Sequence, residues 1–203
     1  SQVVNSGTIF VPATQPPTVV QPGAPGVQNL EANDWRVSSN TVLRGNLLYG
    51  VQAVEFMGRS AVQLQVVDLV TNNVGSEILS DPALALTFPS IAVNELGDVV
   101  VGVTGTSASQ FASSYALVRR AGSGLFDPPQ LLRAGTGNYQ RLDSQSRNRW
   151  GDYSATTVDP ADPGIFWTNQ EFADGVNHWA TQVTELIVQR SNEARWAEPQ
   201  SGS

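Results

Sequence analysis

The stretch RWGDYSATTVDPADPGIFW, Arg149 to Trp167, packs two tryptophans, two prolines and three aspartates around short glycine turns. Two readings compete for it: an acid-based catalytic or metal site, or one repeat unit of an all-β fold. Ala155 to Val158 is rich in β-branched residues, Asp159 to Gly164 is a proline-stiffened turn, and Ile165 leads into an aromatic run. That order predicts strand, turn, strand.

The design recurs upstream. VLRGNLLYGVQAVEF (Val42 to Phe56) reads as strand, Arg-Gly-Asn turn, strand, and SIAVNELGDVVVGVTG (Ser90 to Gly105) repeats it around Asn94 to Asp98. Val42, Val93 and Val158 mark equivalent points, 51 and 65 residues apart. Each unit carries further strand-like runs: SAVQLQVVDLV (Ser60 to Val70) and VGSEIL (Val74 to Leu79), then SSYALVRRA (Ser113 to Ala121) and PQLLRAG (Pro129 to Gly135), then HWATQVTELIVQR (His178 to Arg190). The polar insertion TGNYQRLDSQSRNR (Thr136 to Arg149) reads as a loop and accounts for the longer second interval. Four strands per unit at about 40–50 residues is the period of a propeller blade. The fold expected is all-β: four-stranded antiparallel blades of a partial β-propeller, about three of them, with an extended proline-rich N-terminal segment. The expected division is 1–33 as strap or linker, 34–190 as blades and 191–203 as a polar tail.

Composition agrees with that class and removes others. The 203 residues are 40% hydrophobic and only 14% charged, with 18 glycines and 12 prolines, which favours short strands and tight turns. The formal net charge is -7, and all 11 basic residues are arginines scattered along the chain, so no nucleic-acid partner is expected. No run approaches the ~18 apolar residues of a membrane helix, so no membrane-spanning segment is expected. The absence of cysteine removes disulfides, cysteine nucleophiles and thiolate metal sites. Residues 1 to 30 carry no charge and five prolines, which predicts an extended strap or linker in which GTIFVPA (Gly7 to Ala13) is the one piece able to pair as a strand. The chain opens at Ser1 without a charged and apolar leader, and export to the periplasm, cell surface or medium is the expectation.

Three segments together carry a resemblance: DWRV (Asp34 to Val37) with LRGNLLYGVQAV, FPSIAVNELGDVVVGVTGTS, and NRWGDYSATTVDPADPGIFWTNQEF. They resemble a group of bacterial secreted β-propellers related to the sialidase-type, BNR-like superfamily, over roughly residues 34 to 188. In that group a Pro-Ser-x-Ala-x-Asn-x-x-Gly-Asp turn and an Arg-Trp-Gly-Asp-Tyr-Ser…Val-Asp-Pro…Phe-Trp segment recur, matched here by Pro89 to Asp98 and Arg149 to Trp167. The resemblance implies a ring of about six to eight blades, of which this chain offers about three. A protein partner or additional blades would therefore complete the ring, since exposed strand edges invite pairing.

Within the opening stretch, Gly151 is expected to allow a tight turn, with Asp152 and Ser154 bonding backbone amides there and Arg149 pairing with Asp152. The acids of DPADPG should face water, and Trp150, Phe166 and Trp167 should fill the space between blades. A sialidase-type hydrolase would need an arginine cluster, a Tyr-Glu nucleophile pair and an acid; Arg36, Arg44, Arg149, Tyr49, Tyr153, Asp152 and Glu171 supply the types without a spacing that gathers them. His178 is the sole histidine and no Gly-x-Ser-x-Gly elbow presents a serine. No cofactor is called for; calcium stays open as the metal that oxygen ligands admit, with Asp152 and Asp159 as its candidates. Binding asks for less machinery: Arg149, Trp150, Asp152, Tyr153 and Trp179 are the candidate residues, with Trp35, Tyr139 and Trp196 as further aromatics for a glycan or protein ligand. The expected role is a non-catalytic structural or binding segment of an exported or cell-surface protein, acting by surface recognition in a larger assembly. A glycan-processing hydrolase completed by other blades is the alternative.

Overall fold

A computed structural model describes residues 12–152 and 154–188. Eleven strands and no helix occur among them. The first sheet is β1 (Val42–Arg44), β2 (Leu47–Phe56), β3 (Arg59–Asp68) and β4 (Val74–Leu79). The middle sheet is β5 (Ala85–Val93), β6 (Val99–Thr106), β7 (Ser113–Arg119) and β8 (Gln130–Arg133), and the third is β9 (Ala155–Val158), β10 (Ile165–Gly175) and β11 (His178–Ile187). Each is an antiparallel meander in chain order. The all-β class and the three strand-turn-strand units follow the sequence reading. Among the described residues three sheets of this kind are present, and the third has three strands where the others have four.

The sheets stack with the middle one buried on both sides, and period-two alternation assigns its two faces. Odd-numbered Ile91, Val93, Val99, Val101, Val103, Tyr115 and Leu117 meet Val51, Val62 and Leu64 of the first sheet. Even-numbered Ala92, Val100, Ala116 and Val118 meet Phe166 of the third, with Val188 beside it. Leu86 joins the odd-numbered set because β5 bulges between Thr87 and Ser90. The cause is in the sequence: Pro89 has no N–H to give the ladder, and Phe88 takes a φ of 50°. One extra residue there returns Leu86 and Ile91 to the same face.

Between the middle and third sheets the contact is polar at its centre. The Ser90 and Thr156 hydroxyls lie 2.7 Å apart, those of Thr156 and Thr168 2.9 Å apart, and Gln170 Nε2 donates to Ser90 Oγ at 3.0 Å and Thr168 Oγ1 at 2.9 Å. All four side chains are buried. Gly102 faces this cluster, and a Cβ there would stand 2.2 Å from Gln170 Nε2 and 2.3 Å from Thr168 Oγ1. The glycine lets β6 approach the hydroxyl ladder closely enough for it to close.

The Asn94–Asp98 turn is closed by its own side chains. Asn94 Oδ1 accepts from Leu96 N and Asp98 N, while its Nδ2 donates to Asp98 Oδ2 and, at 2.7 Å, to Pro163 O in the β9–β10 turn. Asp98 Oδ1 accepts from Ala121 N. One amide side chain thus closes its own turn and ties the middle sheet to the third.

Residues 12–33 form no strand beyond an antiparallel bridge between Val19 and Leu30. Both are buried with Ala32, Ala85, Phe88, Ala112, Trp150 and Ala173. Gln21 and Tyr139 bond reciprocally, Nε2 to the carbonyl at 2.7 Å and Oε1 from the N–H at 2.9 Å, which fixes this segment against the loop after β8. GTIFVPA up to Val11, Tyr153, Trp196 and the tail 191–203 lie outside the described residues.

Candidate binding cleft

The loop between β8 and β9 delivers Arg149, Trp150, Gly151 and Asp152 over one end of the third sheet. There Tyr139, Arg149, Trp150, Gly151, Glu171 and Trp179 line a cleft of about 190 Å³. Trp150 is the anchor: it is 3% exposed, and Tyr139 stands edge-on to it at 5.1 Å between ring centroids. Its Nε1 is buried without a hydrogen-bond partner among the described residues. Trp179, at the start of the edge strand β11, is 52% exposed. Glu171 and Trp179 project from the same face of the sheet because β10 and β11 pair Glu171 with Thr181.

Arg149 Nη2 donates to both oxygens of Asp152 at 2.7 Å, the pair expected from their spacing. Asp152 otherwise departs from the turn-capping role expected of it: its second contact is the side-chain amide of Asn33. Ser154 likewise donates to Phe88 O at 2.8 Å on the middle sheet, not within its own turn. Gly151 and Asp152 take φ values of 63° and 129°, in the region of positive φ that glycine favours. Phe88 leaves no room for a side chain at Gly151, since a Cβ there would meet the ring at 2.8 Å. Burial, and the Asp152 carboxylate beside it, hold the Glu171 carboxyl above its ordinary range. The Gly151 N–H faces the Glu171 carboxyl and works against the rise of its pKa.

The other sequence candidates fall elsewhere. Arg36 is bonded to Asp34, which keeps the Asp34 carboxyl low. Arg44 donates to Val93 O at 2.7 Å and lines a separate groove with Glu95 and Asp159. Tyr49 packs against the core between the first and middle sheets. His178 pairs with Asp174 at the β10–β11 turn. The acids of DPADPG do more than face water: Asp159 accepts from Ala161 N, Asp162 N and Trp167 Nε1, and these bonds hold its carboxyl low. Phe166 is fully buried between sheets as expected, but Trp167 is 37% exposed on the opposite face; Trp150 is buried in one cluster with Phe88 of β5, Ala173 of β10 and Val19, Leu30 and Ala32 of the 12–33 segment. Alternation puts Phe166 and Trp167 on opposite faces, so both could not fill one interface. The structure brings the binding candidates Arg149, Trp150 and Trp179 to one cleft, with Asp152 paired to Arg149; the sequence reading weighed Glu171 only for hydrolysis and gave Tyr139 no place beside Trp150.

Among the described residues no group of three or more His, Cys, Asp or Glu side chains is placed to hold a metal ion. No helix among them is long and apolar enough to cross a membrane. Comparison with protein-family models, curated proteins and solved structures returned no match.

Proposed function

We propose that the chain is a structural or binding segment of an exported or cell-surface β-propeller, its three sheets being three consecutive blades that act by surface recognition within a larger assembly. The carrying observation is the asymmetry of the third sheet. Its even-numbered side chains pack on the middle sheet, while Ile165, Trp167, Val183 and Ile187 stand together on the opposite face, Val183 60% and Ile187 64% exposed. Large apolar side chains grouped on a bare sheet face mark an interaction surface. The two existing sheet contacts support a sheet as the occupant: both are face-to-face packings of antiparallel sheets, with β1 and β9 each against β5. A further sheet of the same build, from the same polypeptide or another subunit, is what this face accommodates. The outer edge of β11 supports the same reading, because no described strand pairs with it, whereas β3 and β7 each carry a fourth strand.

Hydrolysis of a glycan is less well served by this geometry, because the Arg149 guanidinium is already held by Asp152 and Arg36 by Asp34. The test is the native mass of the purified chain by light scattering against the denatured mass. A particle heavier than one chain is expected, and Val183→Glu should shift it toward the single-chain mass. A stable monomer would refute the reading, since the bare face would then need no cover.

A further inference from the structure

We infer that the cleft between Trp150 and Trp179 is a binding site for a neutral, hydroxyl-rich ring, a pyranose sugar. Its charge balance selects the class. Arg149 brings one positive charge to the site and Asp152 and Glu171 bring two carboxyls, in a chain of net charge -7. An anionic ligand would have to displace Asp152 from Arg149 and then face Glu171. A cationic ligand would meet the Arg149 guanidinium, and Trp150 is too buried to offer it a ring face. A neutral polyol opposes neither group, since its hydroxyls donate to carboxyl oxygens and accept from guanidinium N–H groups.

The walls suit the same ligand. Trp179 offers a half-exposed indole at the mouth, a flat apolar surface against which the C–H face of a pyranose packs. The volume matches about six waters, room for one ring and not for an oligomer lying flat. The loop that carries Arg149 and Trp150 is held by Gln21, Phe88 and Asn148, with Asn148 Nδ2 donating to Gln28 O and Tyr139 O, so the walls are set before a ligand arrives. The cleft shares no residue with the apolar group Ile165, Trp167, Val183 and Ile187. Glu171 and Trp179 lie on the same face as that group, toward the other end of β10 and β11, so the site is tested on the chain with that end of the face uncovered.

The test is tryptophan fluorescence and calorimetry of the full chain with methyl α-glucoside, methyl α-mannoside and methyl β-galactoside. N-acetylneuraminate and tetramethylammonium chloride serve as charged comparators. At least one neutral glycoside should saturate with a dissociation constant on the order of millimolar, as befits a small exposed site. Trp179→Ala should weaken it about tenfold or more and Trp179→Phe should restore most of the affinity, while Leu125→Ala, exposed and outside the cleft, leaves it unchanged; circular dichroism checks that each variant is folded. No saturation by any neutral glycoside at 100-fold above that range (roughly 0.1 M), undiminished binding by Trp179→Ala, or tighter binding of either charged comparator would each overturn the assignment.

Discussion

Replacing Gly102 by alanine tests the polar contact between the middle and third sheets. The added Cβ would lie 2.2 Å from Gln170 Nε2, 2.3 Å from Thr168 Oγ1 and 2.8 Å from Thr156 Oγ1. Ordinary contact begins near 3.4 Å, so the two closest atoms must each retreat by roughly 1 Å. They cannot do so alone, because Ser90, Thr156, Thr168 and Gln170 share four hydrogen bonds and are all buried. Overpacking of this kind costs about 1–3 kcal/mol, and stranding a buried donor such as Gln170 Nε2 costs about 1–3 kcal/mol more. The expected loss is therefore about 4 kcal/mol, or a fall in Tm of roughly 8–16 °C for a chain of this size. Urea unfolding followed by circular dichroism, with thermal scans at one protein concentration, measures it. Gly124→Ala is the control: nothing lies within 4 Å of its Cβ position, and the change should stay within about 0.5 kcal/mol. Adding Thr168→Ala to Gly102→Ala removes one of the clashing hydroxyls and should recover part of the loss, a coupling that two independent sites would not show. If Gly102→Ala stays within about 1 kcal/mol of the parent, the sheets do not approach as closely as the ladder requires, and the stacking argument fails.

Phe166→Ala empties the centre of the core between the same two sheets, where the ring is fully buried; a loss of about 3–5 kcal/mol in denaturant unfolding is expected, and a loss under about 1 kcal/mol would contradict that placement. Asn94→Ala removes four hydrogen bonds, including the one to Pro163 O; it should cost about 2–4 kcal/mol, and amide exchange should quicken in both the Asn94–Asp98 and Asp159–Gly164 turns, whereas quickening in the first turn alone would deny the link. Glu171 has a pH signature. Its carboxyl is raised in the folded state by burial and by Asp152, with Arg149 as the cation lining the same cleft. The stability it contributes is therefore complete below its ordinary value of 4.5 and is lost as pH rises through the higher folded value. Glu171→Gln should accordingly gain in Tm over the parent as pH goes from 4 toward 7, and a gain that shrinks with rising pH would reverse the assignment.

The strand ends were legible because they are set locally. Glycine, proline and asparagine turns punctuate β-branched runs, and VGSEIL (Val74 to Leu79) coincides with β4. The start of β5 was less so: it begins at Ala85, five residues before the expected Ser90, because Pro89 makes a bulge where the sequence suggested a boundary. The site was half legible. Arg149 and Asp152 are three residues apart, and their pairing needs only a turn, whereas Glu171 meets Gly151 only because β10 runs beneath the loop.

By itself the sequence determined the all-β class, the three strand-turn-strand units, the turn chemistry of Asn94 and Asp98, and the acidic, lysine-free character of the chain. Each of these is a matter of neighbours in the chain: backbone dihedrals, period-two alternation and side chains reaching amides a few residues away. The tertiary structure alone decided which face of each sheet is covered. In β11 Trp179 and Val183 alternate with Ala180 and Leu186, so both phases carry apolar residues and nothing local says which phase packs inward. It also decided that Phe166 is core and Trp167 surface, that Gly102 stands against Thr168 and Gln170, and that Glu171 shares its field with Asp152. These depend on a second sheet arriving about 10 Å away, and its position is fixed by the whole chain at once.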